Sequence, residues 1–265
     1  MKLKAVERKS DIRIADEDAR IDTGMDEQAC EDEMQKHSHR ISELQRVLYA
    51  DARYALLIVL QGRDAAGKDG TIRKVFSVVN PQGCSVSRFA APSEVEKQHD
   101  YLWRVHQQVP ARGMIGIFNR SHYEDVLVPR VHGTVPKKEI AARYDQINDF
   151  EAMLAANGVV ILKFFLHISR DEQKQRLQER LTDPEKNWKF QAGDLDDRAL
   201  WDDFGDAYRK VITKTSTDVA PWFIVPADDK DVRNLLIAHT IADCLQKLHL
   251  RYPKAPASVV GLEID

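Results

Sequence analysis

Residues 55–71, ALLIVLQGRDAAGKDGT, constrain this chain more than any other stretch. The apolar run from Ala55 to Leu60 reads as a buried strand, broken at Gly62 by a loop that ends Gly67-Lys68-Asp69-Gly70. A helix-compatible segment follows, so the spacing Gly-x-x-x-x-Gly-Lys sits in the strand–loop–helix context that a phosphate-binding loop requires. Backbone N–H groups of such a loop curl around an anion, and the helix N-terminus adds partial positive charge. Lys68 supplies a full charge, and Arg63, Ala65, Ala66, Gly67, Gly70 and Thr71 are expected around the bound phosphate. A plain structural turn accounts for the glycines less well, because it gives no reason for their place between a strand and a helix.

The loop departs from its usual form at two carboxylates. The residue after the lysine is normally Ser or Thr, whose hydroxyl ligates Mg²⁺; here it is Asp69. Asp64 lies inside the loop itself. Two carboxylates beside a polyanion repel it unless a cation sits between them, which implies a divalent metal, Mg²⁺ with Mn²⁺ as a substitute. Helix capping is a competing account of Asp69 and a weaker one of Asp64, which precedes the second loop glycine.

A chain of 265 residues can bury a sizeable core in one large α/β domain. Its net charge of −3 carries no general basic excess, so no nucleic-acid partner is expected and any polyanion site must come from local clusters of Lys and Arg. Cys30, Cys84 and Cys244 are widely spaced and odd in number, as expected of reduced thiols in a cytoplasmic protein rather than a disulfide framework or a zinc site. The charged N-terminal stretch does not read as a secretory signal, and no apolar run is long enough to span a bilayer, so no membrane partner is expected.

Strands are expected at 55–60, 84–89, 113–118, 159–166 and 222–225. They alternate with helices at 31–51, from the loop to Val79, and at 94–106, 121–127, 136–156, 170–181, 196–215 and 230–248. Ser93 and Ser169 stand where they cap the helices that follow. This alternation predicts an α/β fold, a parallel sheet covered by helices on both faces. Residues 1–30 read as a polar arm, extended or partly disordered, 31–250 as the P-loop domain, and 251–265 as an irregular tail.

In open α/β sheets ligands gather at the carboxyl ends of the strands, so the P-loop and Asn119-Arg120 should face one crevice. The planar fork of Arg120 suits a transferring phosphoryl group; a salt bridge at a helix start is the simpler alternative. Asp125, a helical turn on, is expected to share the metal with Asp64, while Tyr123 and Glu124 divide evenly between site and scaffold. In QKQRLQERLTDPEKNWKF (173–190), Arg176 and Arg180 share one helical face, and Lys186 and Lys189 extend the basic series. Alone this reads as a solvated face. Beside a P-loop, a mobile lid over 173–198 that folds across phosphates is the better account. Arg63, Arg73, Lys74 and Arg130 form a basic track leading away from the loop.

The blocks GRDAAGKDG (62–70), NPQG (80–83), FNRSHYEDVL (118–127), RLTDPEKNWKF (180–190) and APWFIVPADDK (220–230) give the chain a resemblance to the type 2 polyphosphate kinases, running from about Leu44 to Leu248. The resemblance implies a three-layer P-loop kinase-like fold with a helical lid, and a Mg²⁺-dependent transfer between inorganic polyphosphate and a nucleotide. It implies that Asp64 is the essential loop aspartate, Lys68 the phosphate-binding lysine, Arg120 the arginine ending the second motif, and Arg180 the lid arginine. The form NRSHYEDVL is similar to the branch that accepts nucleoside monophosphates as well as diphosphates. The expected conversions are therefore AMP to ADP and ADP to ATP, with guanine nucleotides as further acceptors. A homodimer or homotetramer is also implied. One departure is RFAAPS (88–93), where relatives often carry Lys at position 90 and Arg88 is the candidate replacement.

These residues suit that chemistry. Asp64 would hold metal and orient the acceptor, Lys68 and Arg120 would stabilise the transferring group, and Arg176, Arg180 and Lys189 would close over it. Two readings compete. An ATP-dependent kinase of small molecules or nucleoside monophosphates would normally keep Ser or Thr after Lys68. A non-catalytic nucleotide-binding switch leaves Asp64 and the lid arginines without a purpose.

Overall fold

The apolar run at 55–60 is the middle of the molecule: every residue of β1 (Ala55–Gly62) is buried. In the computed structural model, which describes residues 2–8, 10–259 and 261–262, β1 lies between β3 (Ile115–Asn119) and β4 (Val159–His167). The edges are β2 (Cys84–Arg88) beside β3 and β5 (Trp222–Pro226) beside β4, and every pairing is parallel. Side chains alternate along a strand, so β1 feeds two cores. Leu56, Ile58 and Leu60 pack with Leu48, Val75 and Leu236 from α1 (Glu27–Asp51), α2 (Lys68–Val75) and α9 (Lys230–Lys247). Leu57 and Val59 pack with Leu127, Ile147 and Val211 from α4 (Glu124–Val131), α5 (Lys137–Ala156) and α8 (Trp201–Thr215). The expected three-layer α/β architecture is what forms.

Strand order fixes where the site lies. The chain goes from β1 outward to β2, returns to β3, then crosses β1 to reach β4 and β5. The direction reverses around the carboxyl end of β1, which is where crevices open in such sheets. The P-loop leaves β1 at that point, and Arg120 N–H donates to Leu60 O at 3.1 Å, holding the end of β3 against it.

Local capping explains where several helices depart from expectation. α1 starts at Glu27, ahead of the expected 31, because Asp26 Oδ1 accepts from Ala29 N–H at 2.8 Å. The helix expected over 94–106 is two short pieces. Ser93 and Glu96 bond each other reciprocally around the turn Glu96–Gln98, and Asp100 Oδ1 accepts from Leu102 N–H to start α3 (Trp103–His106) afresh. Ser169 caps α6 (Arg170–Thr182) as expected, its Oγ accepting from Glu172 N–H at 3.2 Å. The helix expected over 196–215 breaks at Leu200 into α7 (Gly193–Ala199) and α8. α2 stops at Val75, short of Val79.

The described residues of the N-terminal arm include a short 3-10 turn, Asp16–Ala19, and are held against the sheet. Ala5 forms an antiparallel bridge with Phe223, Val6 N–H donates to Trp222 O at 2.8 Å, and His167 Nε2 bonds Ala15 O at 2.7 Å. The arm thus covers the exposed edge of β5, which would otherwise present unpaired backbone groups. Among the described residues no helix is long and apolar enough to cross a membrane.

Candidate active site

Backbone angles shape the loop first. Gly67 has φ +106°, and a Cβ there would meet Arg233 Nη1 at 2.2 Å, so only glycine fits. Lys68 folds back across the loop: its Nζ donates to Gly62 O at 2.6 Å and Arg63 O at 3.2 Å. Burial lowers its pKa to about 8, Arg120 acts in the same direction, and the carboxylates of Asp64, Glu124 and Asp69 oppose them.

β3 delivers Asn119 and Arg120 to the same place. Asn119 Nδ2 donates to Asp69 Oδ1 at 2.6 Å, tying the strand end to the first turn of α2. Arg120 takes φ +61°, a left-handed conformation that costs a residue with a Cβ roughly 1–2 kcal/mol. Its guanidinium lies between Asp64 Oδ1 at 2.6 Å and Glu124 Oε2 at 3.5 Å. Strain held in this way is typical of side chains that must be aimed. Burial alone would lower the Arg120 pKa, but Glu124 and Asp64 outweigh it and raise it, so the group stays cationic. Burial pushes the Glu124 carboxyl up, against the pull of Arg120 and Lys68.

The crevice beside Asp64 and Arg120 has a charged floor and an aromatic wall. Trp201, Phe204 and Tyr208 line it from α8. Arg63 is buried, with its guanidinium carbon 3.7 Å from the Trp201 ring centre, and its Nε finds no acceptor among the described residues. Sequence reasoning missed this wall. Positions 201, 204 and 208 do recur at helical spacing, but the same stripe describes any core-facing helix.

Other expected site residues lie elsewhere. Asp125 does not join Asp64: its Oδ2 is bound by Arg104 Nη2 at 3.2 Å, and its backbone carbonyl accepts from Arg143. α4 begins at Glu124, and neighbouring residues on a helix point about 100° apart, so Glu124 faces the crevice and Asp125 turns away. Tyr123 is buried scaffold, donating to Glu151 Oε1 and accepting from Lys163 Nζ, both at 2.8 Å. Thr71 is also buried, its hydroxyl donating to Asn234 Oδ1 at 3.1 Å. Arg176 is not poised over the crevice. It donates to the carbonyls of Ala65, Ala66, Ala227 and Asp228 and pairs with Glu172.

Arg180 Nη1 meets Asp194 Oδ2 at 3.2 Å, joining α6 to α7, and Lys189 Nζ sits 5.0 Å over the ring of the exposed Trp188. The basic track does not assemble, since Lys74 pairs with Glu31 at 2.8 Å, Arg73 is exposed on α2, and Arg130 is on α4, in the helix layer on the other face of the sheet. Among the described residues no group of three or more His, Cys, Asp or Glu makes a ready metal cage. Asp64, a single carboxylate at the loop mouth, fits an ion such as Mg²⁺, which takes most of its oxygens from water and substrate phosphate. Asp125, held by Arg104, does not.

A family model for polyphosphate kinase 2 matches residues 24–253. The chain is 53% identical over 228 residues to the AMP/ADP-polyphosphate phosphotransferase of Meiothermus ruber, covering 86% of this chain and 85% of that protein. It is 48% identical over 227 residues to the ADP-polyphosphate phosphotransferase of Rhodopseudomonas palustris, covering 81% and 78%. The crystal structure of polyphosphate kinase 2 from Arthrobacter aurescens TC1 is similar with a TM-score of 0.83 at 39% identity, over 99% of this chain and 96% of that one.

Proposed function

Because this chain belongs to the polyphosphate kinase 2 family, we propose that Asp64, Lys68 and Arg120 are the working side chains of its phosphoryl transfer. The enzyme moves a phosphoryl group between inorganic polyphosphate and AMP or ADP. Its acceptor oxygen is already anionic near neutral pH, so no strong base is required. The task is to hold two polyanions in line and neutralise the charge between them.

The side chains divide that task. Lys68 and the loop N–H groups hold one phosphate, and Arg120 faces the charge that spreads during transfer. Asp64 holds a divalent ion, Mg²⁺ or in its place Mn²⁺, and orients the acceptor. When bound, that ion neutralises phosphate oxygens. Arg63 and the aromatic wall receive the nucleotide, with Asn119, Asp69 and Glu124 setting the edge of the crevice, and Arg180 and Lys189 close with the lid. An apolar wall stacks either purine, so guanine nucleotides are further acceptors. We extend the reading to a cytoplasmic homodimer or homotetramer.

The observation that carries this is the Arg120–Asp64 contact of 2.6 Å at the mouth of a P-loop whose usual hydroxyl is replaced by Asp69. Phosphorus NMR of the protein with Mg²⁺, long-chain polyphosphate and AMP tests it. ADP and then ATP should form with no triphosphate donor, and chelation should stop both. Product that appears only when ATP is supplied favours the conventional kinase instead.

A further inference from the structure

The carbonyl oxygens of the P-loop are all accounted for. Gly62 and Arg63 accept from Lys68 Nζ, and Gly67 accepts from Thr71 N–H. The three between them are held by side chains from two helices. Gln173 Nε2 donates to Asp64 O at 3.0 Å, Arg176 Nη1 to Ala65 O at 3.1 Å and Ala66 O at 3.2 Å, and Arg233 Nη1 to Ala66 O at 3.2 Å. The N–H groups show the opposite pattern. Among the described residues, none accepts a hydrogen bond from the N–H of Ala65, Gly67, Lys68, Asp69 or Gly70. Peptide groups whose oxygens are fixed on one side must present their N–H on the other.

Arg233 adds a charge to this clamp. Its side chain is buried, and its guanidinium lies so close beneath Gly67 that no Cβ could be fitted between them. Its other hydrogen bonds go to Asn234 Oδ1, and no carboxylate pairs with it among the described residues. Arg176, by contrast, has Glu172 at 2.7 Å. Burying a cation without a paired carboxylate is costly, and burial together with Arg176 lowers the Arg233 pKa to about 10, against the pull of Asp231 and Asp229 at longer range. A charge kept at such a cost calls for a compensating role, and an anion on the far side of one peptide layer would supply it.

We propose that Arg233, with Gln173 and Arg176, is a positioning residue that pins the loop carbonyls outward and sets a positive charge behind the bound phosphate chain. This rests on the reading of the crevice as a polyphosphate site. Arg176 and Arg233 lie outside the crevice lining, to which Gln173 also contributes, and all three act through the backbone of Asp64, Ala65 and Ala66.

Arg233→Met is an informative variant, because each acceptor it abandons keeps another donor: Arg176 at Ala66 O and Thr71 at Asn234 Oδ1. In the full chain, calorimetric titration with tripolyphosphate should show affinity falling at least about tenfold, since at an effective dielectric of roughly 20 a unit charge within about 10 Å of an anion is worth more than that. The KM for long-chain polyphosphate should rise by a similar factor while kcat at saturation and the melting temperature stay close to the parent's. Arg233→Lys, which keeps the charge, should recover most of the affinity. A Met variant that binds tripolyphosphate as tightly as the parent overturns the proposal alone; a parent that binds none overturns the functional reading with it. Should the Met variant not fold, Arg233→Lys decides: near-parental binding supports the proposal and a tenfold loss overturns it.

Discussion

Lys68 works against its own burial, and that has opposite consequences for stability and for binding. Its folded pKa of about 8 lies below the 10.5 of a free lysine. Between those values the unfolded chain holds a proton that the folded chain lacks, so the free protein gains stability as pH rises through the window and loses it as pH falls toward 8. Phosphate affinity runs the other way, since only the cation attracts the substrate. We expect the KM for polyphosphate to climb above pH 8, and binding at about pH 8.5 to take up a proton. Calorimetric titrations in two buffers of different ionisation enthalpy would reveal that uptake as a difference in apparent heat; equal heats would contradict it. Lys68, Asp64 and Arg120 were legible in the chain because each is defined by local spacing around a strand end. The choice between Glu124 and Asp125 was not. It depends on which residue opens α4, and a shift of one position turns a side chain through about 100°.

At the scale of elements, the segment proposed as a lid differs from the sheet in what holds it. Residues 183–192 between α6 and α7 are largely exposed, and Trp188 keeps 74% of its surface in solvent. Their ties are local: Lys186 to Asp183 at 2.9 Å, and Arg180 to Asp194 across the base. The exposed Lys186–Asp183 pair contributes at most about 1 kcal/mol, and the more buried Arg180–Asp194 pair holds only the base. Amide hydrogen exchange in 183–192 should therefore be fast in the free protein and slow markedly when polyphosphate and a nucleotide are added together. Exchange that is slow throughout, or unaffected by both substrates, would rule out closure of this segment. The sequence pattern set Arg176 among the residues closing over phosphate, but its four backbone acceptors come from two segments far from it in the chain.

Across the whole molecule, the second core is organised around a buried ion pair. Lys163 on β4 donates to Glu151 Oε2 of α5 at 2.6 Å, to Tyr123 Oη at 2.8 Å and to Thr215 O at 2.6 Å. Four elements meet at one ammonium group, directly behind the turn that carries Arg120. Lys163→Met should destabilise the protein by about 3–5 kcal/mol, because it strands the Glu151 carboxylate out of water. Adding Glu151→Leu should restore much of that loss, which urea unfolding of the single and double variants would measure; a double variant as unstable as the single one would contradict the charge-based account. Nothing in the sequence marks Lys163, a lone polar residue in the run VVILKFFL (159–166). The chain by itself determined the parallel sheet, the P-loop and the family, since these rest on periodicity and on spacings of a few residues. Tertiary structure alone decided the aromatic wall, the partner of Asp125 and the arginine beneath Gly67. The wall meets Arg63 and Asp64, Arg104 meets Asp125 and Arg233 meets Gly67 across wide gaps in the sequence, and only packing brings them within reach of one another.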